Sequence, residues 1–179
     1  MDDVVLEIFV LSVLRAGPGA VHGYELKRRV QRPSLTQLSN NSLYPMLRRF
    51  EADGLVTKTV EEQTGKPTRN LYTITDAGRA RLTELLRTLP PDLAGDDEEF
   101  LVRVGFFEEI PPDHRRAILA ARTAVLTASH AQVTRLVSES GHGPVWRTRA
   151  MAHVLETYER ELTWVAELSG QSDTKAAES

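Results

Sequence analysis

The chain has 179 residues, of which 41% are hydrophobic and 26% charged, with a formal net charge of −3 at pH 7 and no cysteine. These proportions predict a folded core in one or two small domains, and the lack of cysteine excludes disulfides, thiolate nucleophiles and cysteine-ligated zinc. The N-terminus has neither the basic region nor the cleavage site of a secretory signal, and no apolar run has the length of a membrane span. We therefore expect a cytoplasmic protein without a membrane segment.

The charge is unevenly divided along the chain. Residues 1–89 carry 13 Lys and Arg against 10 Asp and Glu, whereas residues 90–179 carry 9 against 15. A mildly basic first half beside an acidic second half favours a DNA-binding module joined to a module that contacts another partner. The alternative is that an excess of three charges arises by chance.

Three helices are predicted in the first 54 residues of the chain. Residues 4–14 are almost continuously apolar and end before a Gly-Pro pair, which favours a buried helix. Residues 23–30 have the pattern of a short amphipathic helix. A further helix begins between Ser39 and Ser42, where Ser and Asn are good N-caps, and ends at Gly54, where a C-cap glycine belongs.

Pro45 bears on where that helix begins. A proline costs little in the first turn of a helix but removes a hydrogen bond further in. This predicts a start near Asn41 or Ser42, which leaves Ser39 and Asn40 in the preceding turn.

A β-hairpin and another helix follow. Residues 55–60 and 70–74 are predicted strands, separated by a polar turn over residues 61–67. Thr75 is then expected to cap a helix over residues 76–89. The order of these elements predicts a winged helix-turn-helix, in which one helix enters a major groove about 12 Å wide and the hairpin reaches the neighbouring backbone.

Candidate DNA-binding residues lie on this third helix and on the hairpin. Amides and hydroxyls at a helix start can bond bases or phosphates, and hairpin cations can contact phosphates. The alternative is that Ser and Asn only cap the helix and that the cations are only solvated, and two glutamates in the hairpin weaken its case. The candidates are Ser39, Asn40, Asn41, Ser42, Tyr44 and Arg48 on the helix and Lys66 and Arg69 on the hairpin.

Three segments resemble the PadR family of transcriptional regulators. They are GPGAVHGYEL at 17–26, SNNSLYPMLRRFEADGLV at 39–56 and GKPTRNLYTITDAGRARL at 65–82. Their order and spacing are similar to those of the family, and the resemblance covers about residues 4–89.

The chain also departs from the family pattern. Two extra residues precede His22, Asn41 stands where the family usually has glycine, Ser42 where it has threonine, and Asn70 where lysine or arginine is common. These departures leave the fold assignment intact but prevent any transfer of an operator sequence or an affinity.

The resemblance implies a homodimeric repressor that binds the two half-sites of a near-palindromic operator in double-stranded DNA. It implies a role for Pro45 in the recognition helix and phosphate contacts by His22 and Tyr24, for which packing or capping is an equal alternative. It also allows release by a small-molecule effector of unidentified chemistry.

The second half is predicted to be helical. Residues 90–97 form an acidic linker, residues 98–170 a dimerisation domain with helices near 98–108, 112–139 and 144–169, and residues 171–179 a frayed tail. Apolar residues recur on one face of the last helix, as a dimer interface or a core within one chain requires. The dimerisation candidates are Met151, Val154, Leu155, Tyr158, Leu162, Trp164, Val165 and Leu168.

An effector pocket is a further expectation for this half. Phe100, Phe106, Phe107 and Trp164 are aromatic residues that could line one, although such residues more often form simple core.

The predicted fold class is therefore mainly α with a small β-hairpin wing: a winged helix-turn-helix over residues 1–89 followed by the helical dimerisation domain. An enzyme is disfavoured, because no metal-ligand spacing, phosphate loop or nucleophile motif is present, and no catalytic residue, metal or cofactor is assigned. A winged helix that contacts proteins and not DNA remains the main alternative. The Leu43-Tyr44-Pro45 element and the position of the long C-terminal helices count against another winged-helix family, such as the MarR type.

Overall fold

A computed structural model of the chain describes residues 4–17, 19–30, 40–63, 66–139 and 144–177. The chain divides into two compact units, Met1–Leu86 and Arg87–Ser179. The sequence predicts DNA binding in the first part of the chain and dimerisation in the second. This assignment of roles stays a prediction.

The first unit alternates helices with a small sheet. Three helices precede a hairpin in the chain, and a further helix follows the hairpin. The elements are α1 at Val4–Ala16, β1 at Val21–His22, α2 at Gly23–Val30, α3 at Asn40–Ala52, β2 at Val56–Gln63, β3 at Lys66–Ile74 and α4 at Asp76–Arg87.

The sheet has three antiparallel strands in the order β1-β3-β2. The sequence predicted neither the two-residue strand β1 nor the length of the hairpin, whose strands run to Gln63 and from Lys66 and not only to position 60 and from position 70. The polar residues between positions 60 and 70 have an intrinsic preference for turns. In the structure, backbone pairing between β2 and β3 keeps the described ones extended. Residues 64 and 65 lie outside the described part of the chain.

The core of this unit lies between α1, α2, α3 and the sheet. The apolar run of α1 is buried, as expected from its composition. On α3 the predicted stripe is confirmed, since its members are at most 8% exposed. The stripe consists of Leu43, Met46, Leu47 and Phe50.

Two predicted caps are also confirmed. Gly54 has a φ of 70°, and its N–H donates to the carbonyl of Glu51 at 3.2 Å, while Leu55 N–H donates to Phe50 O at 2.8 Å. This paired pattern ends α3 with its last carbonyls satisfied. At the start of α4, Thr75 Oγ1 accepts a hydrogen bond from the N–H of Gly78 at 3.1 Å.

The start of α3 corrects one expectation. The helix begins at Asn40, so Asn40 belongs to it and Pro45 lies inside the helix, beyond its first turn. Pro45 has no N–H to donate to the carbonyl of Asn41, and the helix continues because burial of its apolar stripe outweighs the loss of one bond. Ser39 lies outside the described residues.

The second unit is helical in its described residues. It contains α5 at Asp97–Val104, a 3-10 turn at Phe107–Glu109, α6 at Pro112–Glu139 and α7 at Val145–Ala177. The helix expected over 98–108 is thus interrupted, because Gly105 follows α5 as its C-cap. The last helix is longer than expected, since α7 continues through Ala177 and not only to position 169, and the frayed tail over residues 171–179 stays a prediction.

Buried arginines tie this unit together. Arg103 is 1% exposed and donates to the Glu99 carboxylate at 2.7 Å and to the carbonyl of Thr88 at 2.7 Å. Arg122 on α6 donates to Glu161 on α7 at 3.1 Å and to Asp97 on α5 at 2.5 Å. Arg103 is buried together with its partner Glu99, which is the condition under which a buried ion pair is tolerated. The partners of the buried Arg122 are more exposed, Glu161 at 29% and Asp97 at 75%.

The fold class predicted from the sequence is confirmed: a mainly helical chain with a small antiparallel sheet arranged as a wing. Within the residues that the structure describes, none of the helices combines the length and the apolarity that crossing a membrane would require.

Candidate nucleic-acid interface

The exposed face of α3 carries the side chains that the sequence singled out. Tyr44 is 42% exposed, and Pro45 and Arg48 are also exposed. Tyr44 and Arg48 are four residues apart, so they lie on the same side of the helix. The first turn contains Asn40, Asn41 and Ser42, whose side chains are outside the described part.

The wing places one of its two predicted cations at an exposed position. Arg69 on β3 is exposed, and the register pairs it with Glu61 on β2. Directly opposed charges of opposite sign attract across a strand pair, so Glu61 reduces the positive potential around Arg69. Lys66 pairs in register with Gln63 at the far end of the hairpin, and its side chain is not described.

A cleft of about 480 Å³ joins the start of α2, the exposed face of α3 and the wing. Four predicted site residues meet there, although they come from three separate stretches of sequence. Tyr24 is 74% exposed at its rim, and the first N–H groups of α2 are an environment that favours an anion. The lining residues are His22, Gly23, Tyr24, Glu25, Tyr44, Arg69 and Asn70.

Two of these lining residues change how the site is described. His22 also lines the cleft, and its Nδ1 is a buried nitrogen that has no hydrogen-bond partner among the described residues. Asn70 was noted in the sequence only as a departure from the family's cation, yet it lines the cleft with an amide.

Tyr72 lies next to Gly23, one of the residues that line the cleft. It is 5% exposed, and a Cβ placed on Gly23 would lie 3.4 Å from its ring, so α2 begins in close contact with β3. Burial raises the pKa of the Tyr72 hydroxyl, Glu51 and Tyr44 raise it further, and Arg48 opposes the shift. Sequence reasoning missed this residue as part of the site, because it reads as an ordinary strand tyrosine.

A buried carboxylate lies behind α3. Glu7 of α1 is 4% exposed, its Oε1 accepts a hydrogen bond from Arg81 Nε at 3.0 Å, and its Oε2 lies 3.6 Å from Arg49 Nη2. Burial lowers the pKa of Arg81, but hydrogen bonds to Glu7 and Glu84 outweigh that effect, so the pKa is raised and the guanidinium stays charged. The sequence feature that could have indicated this contact is Glu7 itself, a single carboxylate in the apolar run of residues 4–14.

The described residues offer nothing that resembles a metal centre: they contain no group of three or more His, Cys, Asp or Glu side chains suited to hold an ion.

The dimerisation candidates form one stripe along α7. Val165 is buried, and the other seven are half-buried within this chain.

Among the effector-pocket candidates, Phe100 is fully buried and packs edge to face against Trp164, with the two ring centroids 5.9 Å apart. The guanidinium of Arg122 lies 5.0 Å from the centroid of the Phe100 ring. Phe106 and Phe107 are half-buried.

Comparison with known proteins identifies the family. The model of the transcriptional regulator PadR-like family matches residues 10–84. Transcriptional regulator Rv3488 of Mycobacterium tuberculosis is 40% identical over 74 residues, which are 41% of this chain and 67% of the relative. This chain belongs to the PadR-like family of transcriptional regulators. This confirms the resemblance found in the sequence, and it confirms the expectation that the protein is a transcriptional regulator and not an enzyme.

Solved structures of PadR-like regulators show more distant likenesses. Bacillus subtilis PadR in complex with operator DNA is 18% identical with a TM-score of 0.45, and the match covers 94% of this chain and 99% of that one. Bacillus subtilis PadR in complex with p-coumaric acid is 19% identical with a TM-score of 0.40 at the same coverage. A PadR-like regulator from Bacillus cereus is 34% identical with a TM-score of 0.38, covering 45% of this chain and 76% of its own.

Proposed function

We propose that this PadR-like regulator binds an operator in double-stranded DNA as a homodimer and represses transcription from it in the cytoplasm. The observation that carries the proposal is the common exposed face of Tyr44 and Arg48 on α3, next to a cleft that contains Arg69 and the N-terminus of α2. In this arrangement α3 lies in the major groove of one half-site, and a near-palindrome supplies the second half-site to the partner.

The face of α3 suits base readout. An arginine can donate two hydrogen bonds to guanine in the major groove, and a tyrosine hydroxyl can reach a base or a phosphate. The polar first turn, Asn40 to Ser42, lies on the N-terminal side of Tyr44, where recognition helices approach base edges. Ser39, just before it, extends the same proposal.

The cleft suits the DNA backbone. A phosphate oxygen is an acceptor with a negative charge, and the cleft offers the Arg69 guanidinium, the Tyr24 hydroxyl and the N–H groups of the α2 N-terminus. His22 adds a nitrogen beside them. We assign backbone contacts to His22, Tyr24 and Arg69 and a second wing contact to Lys66.

The helical unit supports self-association. Of the α7 side chains described between 145 and 171, Val165 is the buried one, and the seven other candidates of the stripe remain partly exposed within one chain. The buried residues of α6 extend from Ile118 to Leu126, and none of its residues from 127 to 139 is buried. Two long helices cannot cover both sides of each other, so we propose that a second copy covers the α7 stripe.

An effector completes the proposal. Release of DNA by a small molecule follows from the resemblance and not from a pocket, since Phe100 and Trp164 pack directly on each other. The chemistry of that molecule is not assigned.

DNA binding is tested by fluorescence anisotropy on a duplex from upstream of the chain's own gene, against a scrambled duplex, at two salt concentrations. The matched variants are Arg48→Glu on α3 and Arg79→Glu on α4, since both arginines are exposed. We expect Arg48→Glu to lose specific affinity by at least about tenfold, while Arg79→Glu retains it.

Each outcome has a definite meaning. Equal loss in both variants would indicate a general effect of charge and overturn the proposed face. Failure of the unchanged chain to prefer any duplex selected from a random library would favour the alternative function, a winged helix that contacts proteins.

A further inference from the structure

The carboxylate of Glu7 is the point at which three helices of the first unit meet. It belongs to α1, accepts the hydrogen bond from Arg81 of α4 and lies within ion-pair distance of Arg49 of α3. The Glu7 side chain is 6% exposed, whereas the two arginines are 37% and 36% exposed. A carboxylate buried to this degree requires charged or hydrogen-bonding partners, so both arginines are constrained to reach it.

The contact with Arg49 concerns the helix that we assign to DNA. Successive residues are about 100° apart around a helix, so an Arg49 side chain directed at α1 places Arg48 on a different side of α3. Arg48 is exposed there together with Tyr44. The direction of the two proposed reading residues is therefore linked to the position of Arg49.

Apolar packing alone does not fix this direction equally well. Leu47 and Phe50 are fully buried and hold α3 against the core, but the hydrophobic effect is not directional. The Arg49 Nη2–Glu7 Oε2 contact at 3.6 Å is an ion pair between two specific groups, and its attraction weakens as the distance between them grows. The Glu7 contact thus adds to apolar packing a second constraint on the rotation of α3.

We propose that Glu7 is a positioning residue for DNA recognition, which acts through Arg49 to fix the rotation of α3 and hence the direction of Tyr44 and Arg48. The inference rests on the proposed function, in which α3 reads the operator. Base contacts require an oriented side chain, whereas phosphate contacts tolerate small displacements. Loss of Glu7 should therefore reduce discrimination between sequences more than it reduces binding to DNA in general.

The test uses the full chain with Glu7→Gln, which is nearly isosteric and removes the charge. The matched control is Glu84→Gln, because Glu84 also pairs with Arg81 at 3.0 Å but is 69% exposed and lies on α4. The probe is a duplex selected from a random library by the unchanged chain, and the measured quantity is the ratio of its affinity to that of a scrambled duplex. Urea unfolding followed by circular dichroism establishes that each variant is folded.

We expect the affinity ratio to fall about tenfold in folded Glu7→Gln and to stay within about twofold of the unchanged chain in Glu84→Gln. A second variant, Arg49→Met, keeps the Glu7–Arg81 bond and should lower the ratio similarly, which decides the matter if Glu7→Gln does not fold.

Two results would overturn the positioning role while leaving the proposed function intact. One is an unchanged ratio in folded Glu7→Gln or in Arg49→Met. The other is an equal fall in Glu84→Gln, which would place the effect at Arg81. Absence of any preferred duplex for the unchanged chain is a different result, since it would overturn the proposed function and this inference with it.

Discussion

Gly78 of α4 faces the carbonyl oxygen of Leu55 so closely that a Cβ on Gly78 would lie 2.2 Å from it. The Ile74 side chain is the next neighbour, at 2.8 Å from the same position. Thr75 Oγ1 donates to the Leu55 carbonyl at 3.0 Å and accepts from Gly78 N–H, so the start of α4 is bonded to the chain that leaves α3. The backbone between α3 and the wing is fixed at this place.

We expect Gly78→Ala to lower the free energy of unfolding by about 2–3 kcal/mol, because backbone must shift to admit the methyl group. In an open helix position the same change stabilises by about 0.5–1 kcal/mol. Gly170→Ala on α7 is the control, since among the described residues, apart from the backbone of its own helix, nothing lies within 4 Å of its Cβ position. Urea unfolding measures both, and a Gly78→Ala variant as stable as the unchanged chain would contradict the close approach.

Much of the first unit follows from its sequence, because local signals and burial agree there. The apolar spacing of α3, its C-cap at Gly54 and the Thr75 cap each have one local cause, and each was predicted at the right residue. The lengths of β2 and β3 were not predicted correctly, because the extent of a strand depends on its pairing with the neighbouring strand. The two-residue β1 has too few positions to show an alternating pattern.

The candidate site divides in the same way. Tyr44 and Arg48 could be predicted because both lie on one helix at helical spacing. The cleft could not be predicted, because its lining residues come from α2, α3 and β3. Neither Asn70 nor Tyr72 has a sequence pattern around it that indicates a site. Glu7 was missed because one carboxylate in an apolar run does not indicate which distant arginines will reach it.

Arg69 should act on affinity and not on sequence preference. Its proposed partner is a phosphate, so Arg69→Gln should weaken binding to the selected and scrambled duplexes equally and lower the slope of log affinity against log salt by about 1. Anisotropy titrations at several salt concentrations give both quantities, and Arg79→Gln on α4 serves as control. A loss confined to the selected duplex would instead assign Arg69 to base readout.

Glu61 should oppose that contact. It pairs in register with Arg69, so a negative charge lies beside the proposed phosphate. We expect Glu61→Gln to strengthen binding to both duplexes, by about 0.2–1 kcal/mol as for a cross-strand charge pair. In an Arg69→Gln background the gain should shrink, and an undiminished gain there would indicate that Glu61 acts directly on the DNA.

Tyr72 should make stability depend on alkaline pH. Its pKa is raised from 10.0 in the folded chain, chiefly by burial, so the folded state holds the phenol proton that the unfolded state releases first. The contribution is fully present below pH 10.0 and is lost as pH rises above it. Tyr72→Phe removes this titration, so the stability difference between the unchanged chain and the variant should be constant below that pH and shift in favour of the variant above it. Urea unfolding across this window checks the sign, and a difference independent of pH would contradict the raised pKa.

Leu162 tests the dimer interface that we assign to α7. It is half-buried within one chain, whereas its neighbour Thr163 is exposed, and Thr163 Oγ1 donates to the Glu159 carbonyl of its own helix at 2.9 Å. If a second copy covers the stripe, Leu162→Asp buries an unpaired charge in the interface and should weaken dimerisation by at least about thirtyfold, while Thr163→Asp changes it little. Sedimentation equilibrium at micromolar concentrations measures the dissociation constant. A monomeric unchanged chain at those concentrations would remove the dimer from the proposal, whereas an unchanged dimer in folded Leu162→Asp would move the interface to another face.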